Sequence, residues 1–70
     1  MPYVPFDHYP RAAEVRRLRL AAGLTRLDLA DATDVSVDTI KRWEQGRNRP
    51  HPKPLARLAR ALGVDVEDLQ

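Results

Sequence analysis

Seventy residues leave room for one small domain with a thin core. The absence of cysteine excludes disulfides and thiolate metal sites and fits a reducing compartment. Apolar runs only a few residues long exclude a membrane-spanning segment. The opening MPYVPFDHYPR lacks the basic-then-apolar layout of a signal peptide, so the cytoplasm is the expected location. A net charge of +2 conceals an uneven distribution: residues 41–60 carry seven Lys or Arg against Glu44 alone, whereas 25–40 and 61–70 are each acidic by three charges. A basic segment in a nearly neutral chain is the electrostatic footprint of a polyanion site; a solvated helix face is the plainer alternative.

In chain order, residues 1–10 come first. Three prolines with Tyr3, Phe6 and Tyr9 make no helix before Pro10, which suits a first helical position, so 1–10 reads as an extended arm and 11–70 as the folded domain. Helices are expected near 11–22, 26–33, 37–45, 53–62 and 66–69. Val15, Leu18 and Ala22 form the inward stripe of the first, Leu29 and Ala30 face in from the second, and Ile40 and Trp43 from the third. Leu55, Leu58, Ala59 and Leu62 follow the i, i+3, i+4, i+7 spacing on the fourth. Gly23, Gly46 and Gly63 stand where left-handed helix ends belong. One start pattern recurs three times, with Thr25, Ser36 and Asp65 as caps between apolar staples, and Asp28 completes an approximate capping box with Thr25. No segment alternates as a strand does, so the fold class is all-α.

The second and third helices are separated by Asp34-Val35-Ser36, and the third runs into Gly46 and the basic Arg47-Asn48-Arg49-Pro50. That is a helix-turn-helix candidate. Val15–Arg19, Gly23-Leu24-Thr25, Leu29-Ala30, Val35-Ser36, Ile40, Arg42-Trp43-Glu44, Gly46, Pro50 and Leu58–Val64 carry a resemblance, in unbroken register over 12–69, to the phage-repressor-like helix-turn-helix proteins of the Cro/repressor or xenobiotic-response-element type. The resemblance implies a compact five-helix, lambda-repressor-like DNA-binding domain whose third helix enters the major groove. It also implies that Trp43 is a core residue and that Glu44 pairs internally with Arg19.

Ser36, Val37, Asp38, Lys41 and Arg42 match the family's groove-facing, base-contacting positions. Arg42 suits the guanine O6/N7 edge and Val37 a thymine methyl. Thr25, Arg26, Thr39, Arg47, Asn48 and Arg49 fall where phosphate contacts are expected, with the amides that open the second helix turned toward the same backbone. Asp38 has two readings: a first-turn acid that favours the helix dipole and pairs with Arg42, or an acceptor for cytosine N4. The chain also departs from the pattern. Arg26 replaces a usual glutamine, Asp34 replaces a common glycine and implies a strained turn, and Pro52 and Pro54 remove amides ahead of the fourth helix. Leu20 and Leu27 stand where polar residues are usual, so both should be exposed on the bare core; Tyr3, Val4, Phe6 and Tyr9 of the arm are expected to cover apolar surface, on the same subunit or across a dimer.

Nothing in the sequence supports catalysis. His8 and His51 have no partners at ligand spacing, no glycine-rich phosphate loop occurs, and no nucleophile has a base at recognisable spacing. The expected function is a sequence-specific double-stranded-DNA-binding transcriptional regulator that occupies an operator as a homodimer, with no cofactor, metal or membrane partner. The rival readings are an antitoxin or adaptor that uses the same fold to bind protein, and an excisionase-like architectural protein.

Overall fold

Pro10 and Arg11 turn the chain into α1 (Ala12–Ala21), and a computed structural model describes residues 8–70. It continues through α2 (Arg26–Thr33), α3 (Val37–Glu44) and α4 (Pro52–Leu62). The fifth expected helix is a single 3-10 turn, Val66–Leu69. Asp68 N–H donates to the Asp65 carbonyl at 3.0 Å, an i→i+3 closure that suits a four-residue run and drops Leu69 into the core. No strand occurs among the described residues.

The boundaries follow local chemistry. Thr25 Oγ1 accepts from Asp28 N–H at 3.0 Å while the Asp28 carboxylate accepts from Thr25 N–H at 2.8 Å, a full capping box at α2. These hydrogen bonds to the Thr25 backbone and side chain hold the Asp28 carboxyl below the usual aspartate range. Ser36 Oγ accepts from Thr39 N–H at 3.1 Å and caps α3. At the far end of α3, Gly46 N–H donates to Trp43 and Arg47 N–H to Arg42, a Schellman motif that needs the left-handed φ of 76° at Gly46. The same conformation at the end of α2 falls to Asp34, at φ 60°, the one non-glycine residue with positive φ among those described. The strain expected from the missing glycine is therefore present.

Val15, Leu29, Ile40, Leu58 and Leu69 are fully enclosed, with Tyr9, Trp43, Leu55 and Ala59 around them. α2 packs against α3 and α4, α1 against α3, and α4 against the 3-10 turn. The expected stripe on α1 needs one correction. Ala22 is exposed because α1 ends at Ala21 and the chain turns at Gly23, and the buried position one turn beyond Val15 belongs to Arg19. Leu20 and Leu27 are 52% and 59% exposed. Of the arm, Tyr9 packs within its own subunit and is 2% exposed; Tyr3, Val4 and Phe6 lie outside the described residues.

Candidate nucleic-acid interface

α3 has two faces because its apolar residues recur at helical spacing. Ile40, Trp43 and Glu44 are buried, and Val37, Asp38, Lys41 and Arg42 point outward. Ser36 lies exposed at the N-terminal tip, where its Oγ and Thr39 Oγ1 stand 2.9 Å apart. Asp38 Oδ2 and Arg42 Nη2 pair at 2.9 Å across one turn, acid before base, the favourable order for the helix dipole. The outer face of α3 thus presents one apolar group, one ion pair and one lysine.

Beneath that face, Glu44 is held by two arginines. Arg19 Nε donates to Oε2 at 2.7 Å and Arg19 Nη2 to Oε1 at 3.1 Å, while Arg19 Nη1 reaches the Leu24 carbonyl at 3.0 Å. The bidentate hydrogen bonds with Glu44 raise the Arg19 pKa still further above its ordinary value. Arg26, which sequence reasoning set aside for phosphate, also donates from Nε to Glu44 Oε1, at 3.2 Å. The Glu44 side chain is almost wholly enclosed, whereas Arg26 is about one-third exposed, so its guanidinium emerges at the start of α2 with one edge already anchored. Two cations on one carboxylate leave the cluster net positive. Sequence reasoning missed this second pairing; the signal available was a buried glutamate facing a helix that opens with arginine.

The basic loop after Gly46 brings more of the candidates together. Thr39, Arg42, Asn48 and Arg49 line a hollow of about 210 Å³ whose floor includes Trp43. His51, itself exposed, is on the same wall. Arg49 Nη2 donates to the His8 carbonyl at 3.3 Å. Arg47 and Lys41 are exposed on either side of the α3 terminus. Thr25 does not line this hollow; it stands at the start of α2, its hydroxyl engaged in the cap. Among the described residues no buried side-chain nitrogen or oxygen lacks a hydrogen-bond partner, so no orphaned group marks a second site in the interior.

Two short helices joined by a tight left-handed turn, the second exposed along a polar face and followed by a basic loop, define a helix-turn-helix unit. Residues 12–70 match the family described as helix-turn-helix domain, and the chain belongs to that family. It is similar to the HTH-type transcriptional regulator DdrOP3 of Deinococcus deserti, 38% identical over 55 residues that make up 79% of this chain and 43% of the relative. Among solved structures it resembles the clp gene regulator ClgR from Corynebacterium glutamicum, with a TM-score of 0.76 at 34% identity over 83% of this chain and 62% of that one. It also resembles the restriction-modification controller protein C.AhdI from Aeromonas hydrophila, with a TM-score of 0.77 at 25% identity over 84% of this chain and 89% of that one. The chain thus spans less than half of the Deinococcus protein and less than two-thirds of ClgR. No helix among the described residues is long and apolar enough to cross a membrane.

Proposed function

We propose that this chain is a sequence-specific double-stranded-DNA-binding transcriptional regulator of the cytoplasm that acts by occupying an operator, as a homodimer and without turnover. The observation that carries the reading is the outer face of α3: Val37, Asp38, Lys41 and Arg42 stand exposed on a helix whose opposite side is locked into the core. Ser36, Val37, Asp38, Lys41 and Arg42 are the base-contacting set, and Arg42 is the residue matched to a guanine edge. Thr25, Arg26, Thr39, Arg47, Asn48 and Arg49 are the phosphate set, arranged at the α2 start and around the basic loop that flanks α3. DdrOP3, ClgR and C.AhdI, two regulators and a controller, support the same class. A two-fold dimer would place two copies of α3 about 34 Å apart, one helical turn of DNA.

The test is selection of bound sites from random duplexes, followed by affinity measurements across salt. Arg42→Ala should cost about 1–3 kcal/mol on the selected site and relax the requirement for one guanine. Arg47→Ala should weaken all duplexes alike and reduce the salt slope by about 0.9. Unchanged discrimination in Arg42→Ala would remove α3 from the role of reader. One observation favours the antitoxin or adaptor reading: Leu20, Leu27 and Val37 are large apolar side chains left 52%, 59% and 40% exposed. A chain that binds no duplex with a steep salt dependence would leave that alternative standing.

A further inference from the structure

Residues 8–11 lie outside the stretch that matches the family, which starts at residue 12, yet they join the loop after α3 to the C-terminal turn. Tyr9 N–H donates to the Gly46 carbonyl at 3.1 Å, and the Tyr9 hydroxyl donates to the Leu69 carbonyl at 2.5 Å. The neighbouring His8 carbonyl accepts from Arg49 Nη2, and Arg11 Nε donates to the Gln70 carbonyl at 3.3 Å. Tyr9 is 2% exposed and belongs to the core cluster, so its hydroxyl bond to Leu69 is shielded from water, while the Arg11 and Arg49 bonds lie exposed around it. On one side the segment therefore holds the start of the basic loop and one of its arginines, and on the other the last turn of the chain.

We propose that Tyr9 is a positioning residue for the DNA interface: by burying its ring it pins the Gly46–Pro50 loop against the start of α1 and sets the phosphate contacts made through Arg49. This rests on the DNA-binding reading above. The physical reason is that these bonds reach the first residue of the loop, through the Gly46 carbonyl, and its fourth, through the Arg49 guanidinium. Its first residue is a glycine at φ 76° whose N–H is tied to the end of α3 and whose carbonyl is tied to Tyr9, and Arg47, Asn48 and Arg49 are exposed. A built Cβ at Gly46 would stand 3.6 Å from the Tyr9 carbonyl oxygen and 3.7 Å from the Ala12 Cβ, which shows how closely the two segments lie. An anchored loop loses less conformational freedom on binding than a loose one, so the clasp acts through affinity without itself touching DNA.

The experiment compares Tyr9→Phe and Tyr9→Ala with the intact chain, at a temperature where each is folded by circular dichroism. Tyr9→Phe keeps the ring and the Gly46 bond and loses only the link to Leu69. It should melt about 4–8 °C lower, by the usual effect of one hydrogen bond, and keep the wild-type salt slope. Tyr9→Ala should bind every duplex roughly tenfold more weakly, with a slope shallower by about 0.9, one phosphate contact. Adding Arg49→Ala to Tyr9→Ala should then change little, whereas Arg49→Ala alone weakens binding. Amide hydrogen exchange at Arg47 supplies a readout independent of DNA, and in Tyr9→Ala it should speed up more than the amides of α4. A folded Tyr9→Ala chain with wild-type loop exchange, affinity and slope overturns the clasp. Normal acceleration of loop exchange in a chain that binds no duplex even as wild type overturns the DNA-binding reading, and with it Tyr9's role there, while the clasp itself stands.

Discussion

Arg42 forms an ion pair with Asp38 across one helical turn, with side chains 52% and 64% exposed, so water screens the pair and its direct contribution to stability is about 0.3–0.5 kcal/mol. Its consequence for recognition is larger. On the proposed DNA-binding reading, the carboxylate biases the guanidinium toward one rotamer and also sets a negative charge on the face that would meet the phosphate backbone. Asp38→Asn removes both effects. Affinity for random duplex should rise, affinity for the selected site should fall, and the ratio between them should narrow. Equal affinities for wild type and variant on every duplex would end any groove-facing role for Asp38. Tyr9 gives a residue-scale prediction in pH. Burial pushes its phenol up to about 12, against the lowering influence of Arg11 and Arg49. Because the folded-state value lies above the unfolded value near 10, the folded chain binds the extra proton between them. Stability from this group is therefore complete below about pH 10 and is lost as pH rises toward 12. The stability difference between wild type and Tyr9→Phe should shrink across that window, and a constant difference would contradict a buried phenol.

The helix ends are the most legible elements in this sequence. Thr25 with Asp28 and Ser36 with Thr39 form the caps that their spacing implies, and all three glycines adopt positive φ. Such signals are local, because a cap and its amide lie within one turn and need no knowledge of the rest of the fold. The end of the chain was less legible. Val64-Asp65-Val66-Glu67-Asp68-Leu69 carries the same start pattern as α2 and α3 but makes only a 3-10 turn, since a start signal does not specify how far a helix propagates. Ala22 misled for the same reason: periodicity continued the α1 stripe past the residue at which the Gly23 turn ended it. The turn between α2 and α3 allows a direct test. Asp34 holds φ 60° and ψ 40°, a conformation that costs an L-residue about 1–2 kcal/mol, less for aspartate than for most. Asp34→Gly relieves that strain but adds entropy to the unfolded chain, so the net gain should be about 0.5 kcal/mol, or a few degrees in Tm. A lower Tm in Asp34→Gly would show that the aspartate stabilises the turn by some other contact.

Long-range pairings separate what the chain reveals from what only the folded molecule shows. The Arg19–Glu44 pair was readable through resemblance, while the Arg26–Glu44 bond and the Tyr9 links to Gly46 and Leu69 join residues 18, 37 and 60 apart and leave no periodic trace. Tyr9 was expected to cover apolar surface as part of the arm and does so on its own subunit, but nothing local marks Gly46 and Leu69 as its hydrogen-bond partners. At the scale of the whole molecule, Glu44 is the junction: its carboxylate connects α1 through Arg19, the start of α2 through Arg26, and α3 through its own backbone. Glu44→Ala leaves the Arg19 guanidinium enclosed with only the Leu24 carbonyl as acceptor, and breaking one side of a buried pair costs about 3–5 kcal/mol. A domain of this length has a total stability of roughly 4–10 kcal/mol, so Glu44→Ala removes a large share of it and urea melting should find its midpoint far below that of wild type. Arg19→Met combined with Glu44→Leu replaces the pair by apolar groups of similar size and should recover most of the lost stability, because no charge is then stranded. The rescued chain would still lack the tether on Arg26. Its duplex affinity should stay below wild type at low salt even when fully folded, because Arg26 would have to be ordered anew on binding. A rescued variant that binds as wild type does would reduce Glu44 to a fold residue with no influence on the interface.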